Sequence, residues 1–100
     1  MLHALKIEQE YFKQVADGSK GFEVRKNDRP YKVGDFLALN EWKDQEHTGK
    51  FILAKITYIL DDPQYCKDGF VILSIKPHAI QELNDIPLPS LRCNMKIPVY

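Results

Sequence analysis

One hundred residues, 44% hydrophobic and 28% charged, suit one globular domain with a modest core and exclude a disordered chain. The longest apolar runs, such as Phe70–Leu73, are far too short to span a bilayer. The Met1–Lys6 start lacks the basic-then-apolar layout of a signal peptide, so the expected location is the cytoplasm. A formal net charge of zero argues against a strong nonspecific nucleic-acid binder and leaves room for small, site-directed contact.

Leu2–Ile7 predicts a first strand, with Leu5 and Ile7 on one face and Lys6 on the other. Glu8–Asp17 predicts the principal helix. Tyr11, Phe12, Val15 and Ala16 form its apolar face, Glu8 and Glu10 suit the dipole of its first turn, and Gly18 suits its C′ position. The alternation in Phe22–Lys26 predicts a strand that aims Phe22 and Val24 into the core, while Glu23 and Arg25 project together from the other face. Asn27–Pro30 and Val33–Asp35 are turns. Phe36–Trp42 and Phe51–Leu60 are strands, the second with Ile52, Ala54, Ile56, Tyr58 and Leu60 on one face, and polar Lys43–Lys50 joins them as a hairpin loop. Asp61–Asp68 is a loop, and nearly continuously apolar Gly69–Ile75 is a central or barrel strand. Pro77–Asn84 predicts a short helix, Pro87 and Pro89 an extended stretch, and Met95–Tyr100 an edge strand. One helix with five to six strands on short connections predicts an α+β fold built on a small barrel, not a parallel βαβ sheet.

The chemistry concentrates in Gly18–Arg29, where Lys20, Arg25, Lys26 and Arg29 stand against Glu23 and Asp28. A carboxylate among cations reads both hydrogen-bond donors and anionic groups. The fork of Arg25 matches phosphate or the guanine edge, and Glu23 accepts from exocyclic amines or ribose hydroxyls. The plainer alternative is a Glu23–Arg25 ion pair that only orders the strand. Trp42, next to Glu41 at a strand end, either stacks a base or anchors the core. His3 is an acid or base if its strand borders the same cleft, and otherwise a hydrogen-bonded structural residue. His47 and His78 fall in expected loops. Cys66 and Cys93 form no CxxC pair and no cluster with the histidines, so both are expected as buried or partly buried thiols, with no disulfide, metal or cofactor. No Ser-His-Asp arrangement, phosphate loop or H-E-x-x-H string is present.

The string Gly18-x-Lys20-x-x-Glu23-x-Arg25 resembles the signature of ASCH domains, a branch of the PUA-like β-barrel superfamily. His3-x-Leu5-Lys6-Ile7 followed by Tyr11-Phe12 resembles the opening of a small bacterial and phage ASCH-like family of unknown function. Asn27-Asp28-Arg29, Val33-Gly34-Asp35, Glu41-Trp42, Thr48-Gly49, Tyr58-Ile59-Leu60 and Gly69–Leu73 continue that pattern in order. The resemblance implies a PUA-like barrel over residues 1–76, with residues 77–100 as an extension packed on the same domain.

It also implies a cleft between helix and barrel that Lys20 faces. In one enzymatic branch, which deacylates a modified cytidine, a lysine, a threonine and a glutamate look like the working set. Here Glu23 stands where the threonine would be, so no hydroxyl is available. A neighbouring carboxylate favours the ammonium form of Lys20, a poor base and nucleophile. The expected function is recognition of RNA, a nucleotide or a modified nucleoside by Lys20, Glu23 and Arg25. Asn27, Arg29, Glu41, Trp42 and His3 are further candidate contacts, and no residue is assigned as catalytic. The alternatives are an amidohydrolase or ribonuclease using Lys20 and Glu23, and a protein-interaction accessory domain. The oligomeric state is left open.

Overall fold

The computed structural model describes residues 1–82, with side chains through Ile80. The expected extended stretch around Pro87 and Pro89, the expected edge strand Met95–Tyr100, and Cys93 lie outside the described residues. The elements are β1 (Leu2–Glu8), α1 (Gln9–Ala16), β2 (Phe22–Lys26), β3 (Phe36–Lys43), β4 (Glu46–Leu60) and β5 (Phe70–Glu82). All five strands form one sheet in the order β1-β3-β4-β5-β2. β1 runs parallel to β3 and the other pairs are antiparallel. The sheet curls into a half-barrel and brings its two edge strands together: Arg25 on β2 donates a hydrogen bond to the Lys6 carbonyl on β1.

The concave side holds the core. Leu5, Leu37, Leu39, Ile52, Ile56 and Leu73 are fully buried, each worth roughly 1.5–3 kcal/mol of transfer free energy. Helix α1 is only two turns long and would not persist alone; Phe12 and Val15 anchor it on this core. It ends at Asp17, and Gly18 follows with φ +85°, as a C′ residue should. The Lys20 amide then bonds back to the Gln14 carbonyl at 3.0 Å, which directs the chain into β2.

β2 is the main departure from the sequence expectation. Its alternation is as expected, but its faces are exchanged. Glu23 and Arg25 are 4% and 8% exposed, whereas Phe22 and Val24 are 45% and 50% exposed. Period two fixes which side chains share a face and not which face turns inward. The charges are tolerated inside because they are paired and hydrogen-bonded with one another, with Lys20 and with the β1 backbone. Tyr11, expected in the core beside Phe12, is also close to half-exposed.

β4 and β5 differ in detail. β3 and β4 meet in a two-residue turn, Asp44-Gln45, with φ of 51° and 64°. Most of the expected Lys43–Lys50 loop is therefore strand. Opposite Glu41 the ladder is irregular, because Thr48, Gly49 and Lys50 all fall between the pairs Asn40↔Phe51 and Trp42↔His47. Thr57 is an extra residue between the pairs Ile56↔Ile75 and Tyr58↔Ser74. This bulge shifts the phase of β4, so Ile59 packs on the core and Tyr58 points outward. The expected single face therefore ends at Ile56. β5 continues as strand through Glu82 where a short helix was expected from Pro77. Pro77 sits at a second bulge, between the pairs Leu53↔Ala79 and Ala54↔Pro77, one of the few sheet positions that suit a proline. His47 and His78, expected in loops, lie on β4 and β5.

Candidate functional site

The seam between the two edge strands opens into a groove of about 430 Å³. β1 contributes Lys6, Ile7 and Glu8, α1 contributes Tyr11, and the chain from Lys20 to Arg25 supplies the opposite wall. The groove exists because α1 and its tight C-terminal turn carry the chain from one edge of the sheet to the other. That turn is pinned by Ser19, whose hydroxyl and amide donate to Asp17 at 2.6 and 2.8 Å. Both bonds hold the Asp17 carboxyl below its ordinary value.

Glu23 forms the floor. One carboxylate oxygen accepts from Arg25 Nε at 3.2 Å and lies 3.0 Å from Arg25 Nη2. The other accepts from Lys20 Nζ. Lys20 Nζ also donates to the Phe22 carbonyl at 2.6 Å. A nearly buried carboxylate is thus fixed between two cations, and the cluster carries one net positive charge. Such bonds are stronger and more directional than neutral ones. Tyr11 and Phe22, both close to half-exposed, stand beside this floor. Lys20 Nζ lies 5.6 Å from the Tyr11 ring centroid and 4.9 Å from that of Phe22. The arrangement offers ring faces for stacking, an ammonium for an acceptor or anion, and a carboxylate for a donor.

Of the residues singled out in the sequence, Lys20, Glu23 and Arg25 come together here and the other five do not line the groove. His3 is buried and bonded to Asp35, Nε2 to Oδ2, at 2.9 Å, with the Tyr31 ring 4.8 Å away. This bond is the main reason that the Asp35 carboxyl is lowered to about 2, helped by the Met1 amino group and the Lys32 amide. Asn27 is exposed beyond the end of β2 and borders a smaller depression of about 180 Å³ beside Cys66. Cys66 is buried, and its thiol donates to the Leu60 carbonyl at 3.2 Å. Arg29 is half-buried in the following turn. Glu41 is buried and accepts a 2.5 Å bond from the Thr48 hydroxyl. Trp42 is half-buried, with the His47 ring 4.7 Å away and Lys6 Nζ 3.9 Å above its centroid.

Sequence reasoning missed Lys6, Ile7, Glu8, Tyr11, Phe22 and Val24 as groove residues. Tyr11 and Phe22 were assigned to the core by their apolar character, and nothing local in the sequence marks the seam. Among the described residues no cluster of three or more His, Cys, Asp or Glu side chains is placed to hold a metal, and no helix is long and apolar enough to cross a membrane.

The uncharacterized 12.9 kDa protein in the GpA 3′ region of Escherichia phage P2 is 39% identical over 72 residues, covering 72% of this chain and 65% of the relative. The chain therefore spans a little under two thirds of that protein. The crystal structure of hypothetical protein PH0355 superposes with a TM-score of 0.55 over 78% of this chain and all of that one, at 16% identity. This is a likeness of fold alone, and it accords with a small β-barrel-like architecture. Residues 2–75, which include every groove residue, match the model of a domain of unknown function, DUF3850. The chain belongs to the DUF3850 family.

Proposed function

We propose that the groove recognises RNA, a nucleotide or a modified nucleoside, and that the domain is an ASCH-type, PUA-like barrel acting in the cytoplasm. One observation carries this reading: the nearly buried Glu23 is held between Lys20 and Arg25 at the foot of two accessible rings. A planar base presents donors, acceptors and a π-face together. The groove answers with a carboxylate, an ammonium, and the rings of Tyr11 and Phe22. Binding is favoured over catalysis because Lys20 Nζ already donates to Glu23 and to the Phe22 carbonyl, which suits a positioned donor better than a base.

The test is a titration of nucleosides, mononucleotides and short single-stranded RNA against wild type, Lys20→Gln and Glu23→Gln, with folding followed by circular dichroism. Binding by wild type, lost by at least tenfold in both folded variants, is the expected result. A wild-type protein that binds none of these ligands at low salt retires the reading.

A further inference from the structure

The convex face of β2, β5 and β4 has an unusual make-up. Cross-strand pairing sets Phe22, Ser74 and Tyr58 in one row, Lys76 opposite Lys55 in the next, and Lys26 opposite Phe70 at the far end. Their strand neighbours Glu23, Arg25, Ile56, Leu73 and Ile75 are buried on the concave side, so these side chains point outward. Tyr58 is 59% and Phe22 45% exposed, and Lys26, Lys55 and Lys76 are all exposed.

No carboxylate shares this face along residues 22–26, 55–60 and 70–76, although the chain as a whole is neutral. The neighbouring acids Asp28, Asp61 and Asp68 lie beyond the strand ends. Lys55 and Lys76 are directly opposed, and neither forms an ion pair among the described residues. Opposed like charges destabilise a sheet unless an anion covers them.

We infer that this convex face is a second nucleic-acid site that carries a single strand away from the groove. Phe22 and Tyr58 stack bases while Lys55, Lys76 and Lys26 meet phosphates. The charge pattern selects an anionic partner, and the interleaved rings select one with planar faces, which a single strand supplies along its length. From Lys76 to Phe70 the face runs roughly 20 Å, enough for several nucleotides. Phe22 belongs to both surfaces, so the strand is continuous with the groove ligand. The inference stands on the residues of the convex face, and extends the groove reading to a strand that leaves the groove.

A labelled single-stranded RNA octamer and a mononucleotide are titrated at several salt concentrations. The proteins are wild type, the double variant Lys55→Gln/Lys76→Gln, Tyr58→Ala and Lys20→Gln. The double variant should fold at least as stably as wild type and bind the mononucleotide equally well. It should lose tenfold or more in octamer affinity, with a salt slope shallower by about 1.4, the value for two phosphate contacts. Tyr58→Ala should weaken the octamer alone, and Lys20→Gln should weaken the mononucleotide while keeping the octamer salt slope. Octamer binding without mononucleotide binding, and unchanged in Lys20→Gln, retires the groove reading and supports this one. An unchanged octamer affinity and slope in the double variant overturns it. So does an octamer that binds no better than the mononucleotide, or tighter binding of phosphatidylserine vesicles or polyglutamate by the same lysines.

Discussion

The Arg25 guanidinium on β2 donates to the Lys6 carbonyl on β1 and so fastens the two edge strands of one sheet. The same side chain holds Glu23, so the groove floor and the seam of the half-barrel share one residue. Arg25→Ala would leave Glu23 with a single cationic partner and the Lys6 carbonyl without this donor. Loss of one member of a buried pair costs up to about 3–5 kcal/mol when the remaining charge has no partner; with Lys20 still on Glu23 the loss should be about 2–3 kcal/mol, which lowers the melting temperature of a domain this size by roughly 10–20 °C. Arg25→Lys keeps the charge without the fork and should fall between. A melting temperature within ~2 °C of wild type for Arg25→Ala would show that the bridge contributes nothing.

Asp35 gives the same fold an acid-sensitive contribution to stability. Its carboxyl is lowered to about 2 from an ordinary 3.8. The stability it contributes is therefore complete above about pH 4 and is lost as pH falls towards 2. Asp35→Asn should melt several degrees below wild type at pH 7, and the two curves should converge near pH 2. Thermal melts across that range check this; a gap that stays constant with pH would assign the effect to packing instead.

The β3–β4 turn carries avoidable strain. Gln45 has φ 64°, a left-handed conformation that costs an ordinary L-residue about 1 kcal/mol. Gln45→Gly should stabilise the protein by ~0.5–1 kcal/mol, read as a higher urea midpoint at unchanged slope. A lower midpoint would mean that the glutamine side chain outweighs its backbone cost.

Turnover of acylated cytidines and of single-stranded RNA should be undetectable in wild type, because Lys20 is engaged as a donor on both of its described partners. Glu23→Thr supplies a hydroxyl beside Lys20 and should remain without turnover if the groove only binds. Turnover by wild type that disappears in Lys20→Ala would replace the binding reading with an enzymatic one.

What could be read from the sequence followed from local rules. The β2 boundaries came out at Phe22 and Lys26, α1 is one residue shorter at each end than expected, and Gly18 took its capping place, because alternation, helical spacing and a left-handed glycine are local properties. Glu23 and Arg25 were found together for the same reason: side chains two apart in a strand share a face, and Lys20 was placed beside them from the preceding turn. The side on which that face lay was not legible. Arg25, the buried partner of Glu23, donates to the Lys6 carbonyl, which comes from a strand on the other edge of the sheet. Tyr58 was misplaced by the bulge at Thr57, since one inserted residue reverses every later side chain without altering composition. His3 had two readings, and Asp35, the partner that decides for the hydrogen-bonded structural one, is 32 positions away in the chain.

The strand order also favours one order of assembly. β3, β4 and β5 follow one another in sequence and pair as neighbours, whereas β1 and β2 lie close in sequence and end on opposite flanks. The central three strands can form as a unit from short-range contacts, and the outer two dock onto it from either side. The groove takes one wall from each late-docking strand, so it is the natural place for the structure to breathe without unfolding its centre. A ligand that touches both walls would act as a clasp, and its presence should appear first as slower amide exchange in the two outermost strands.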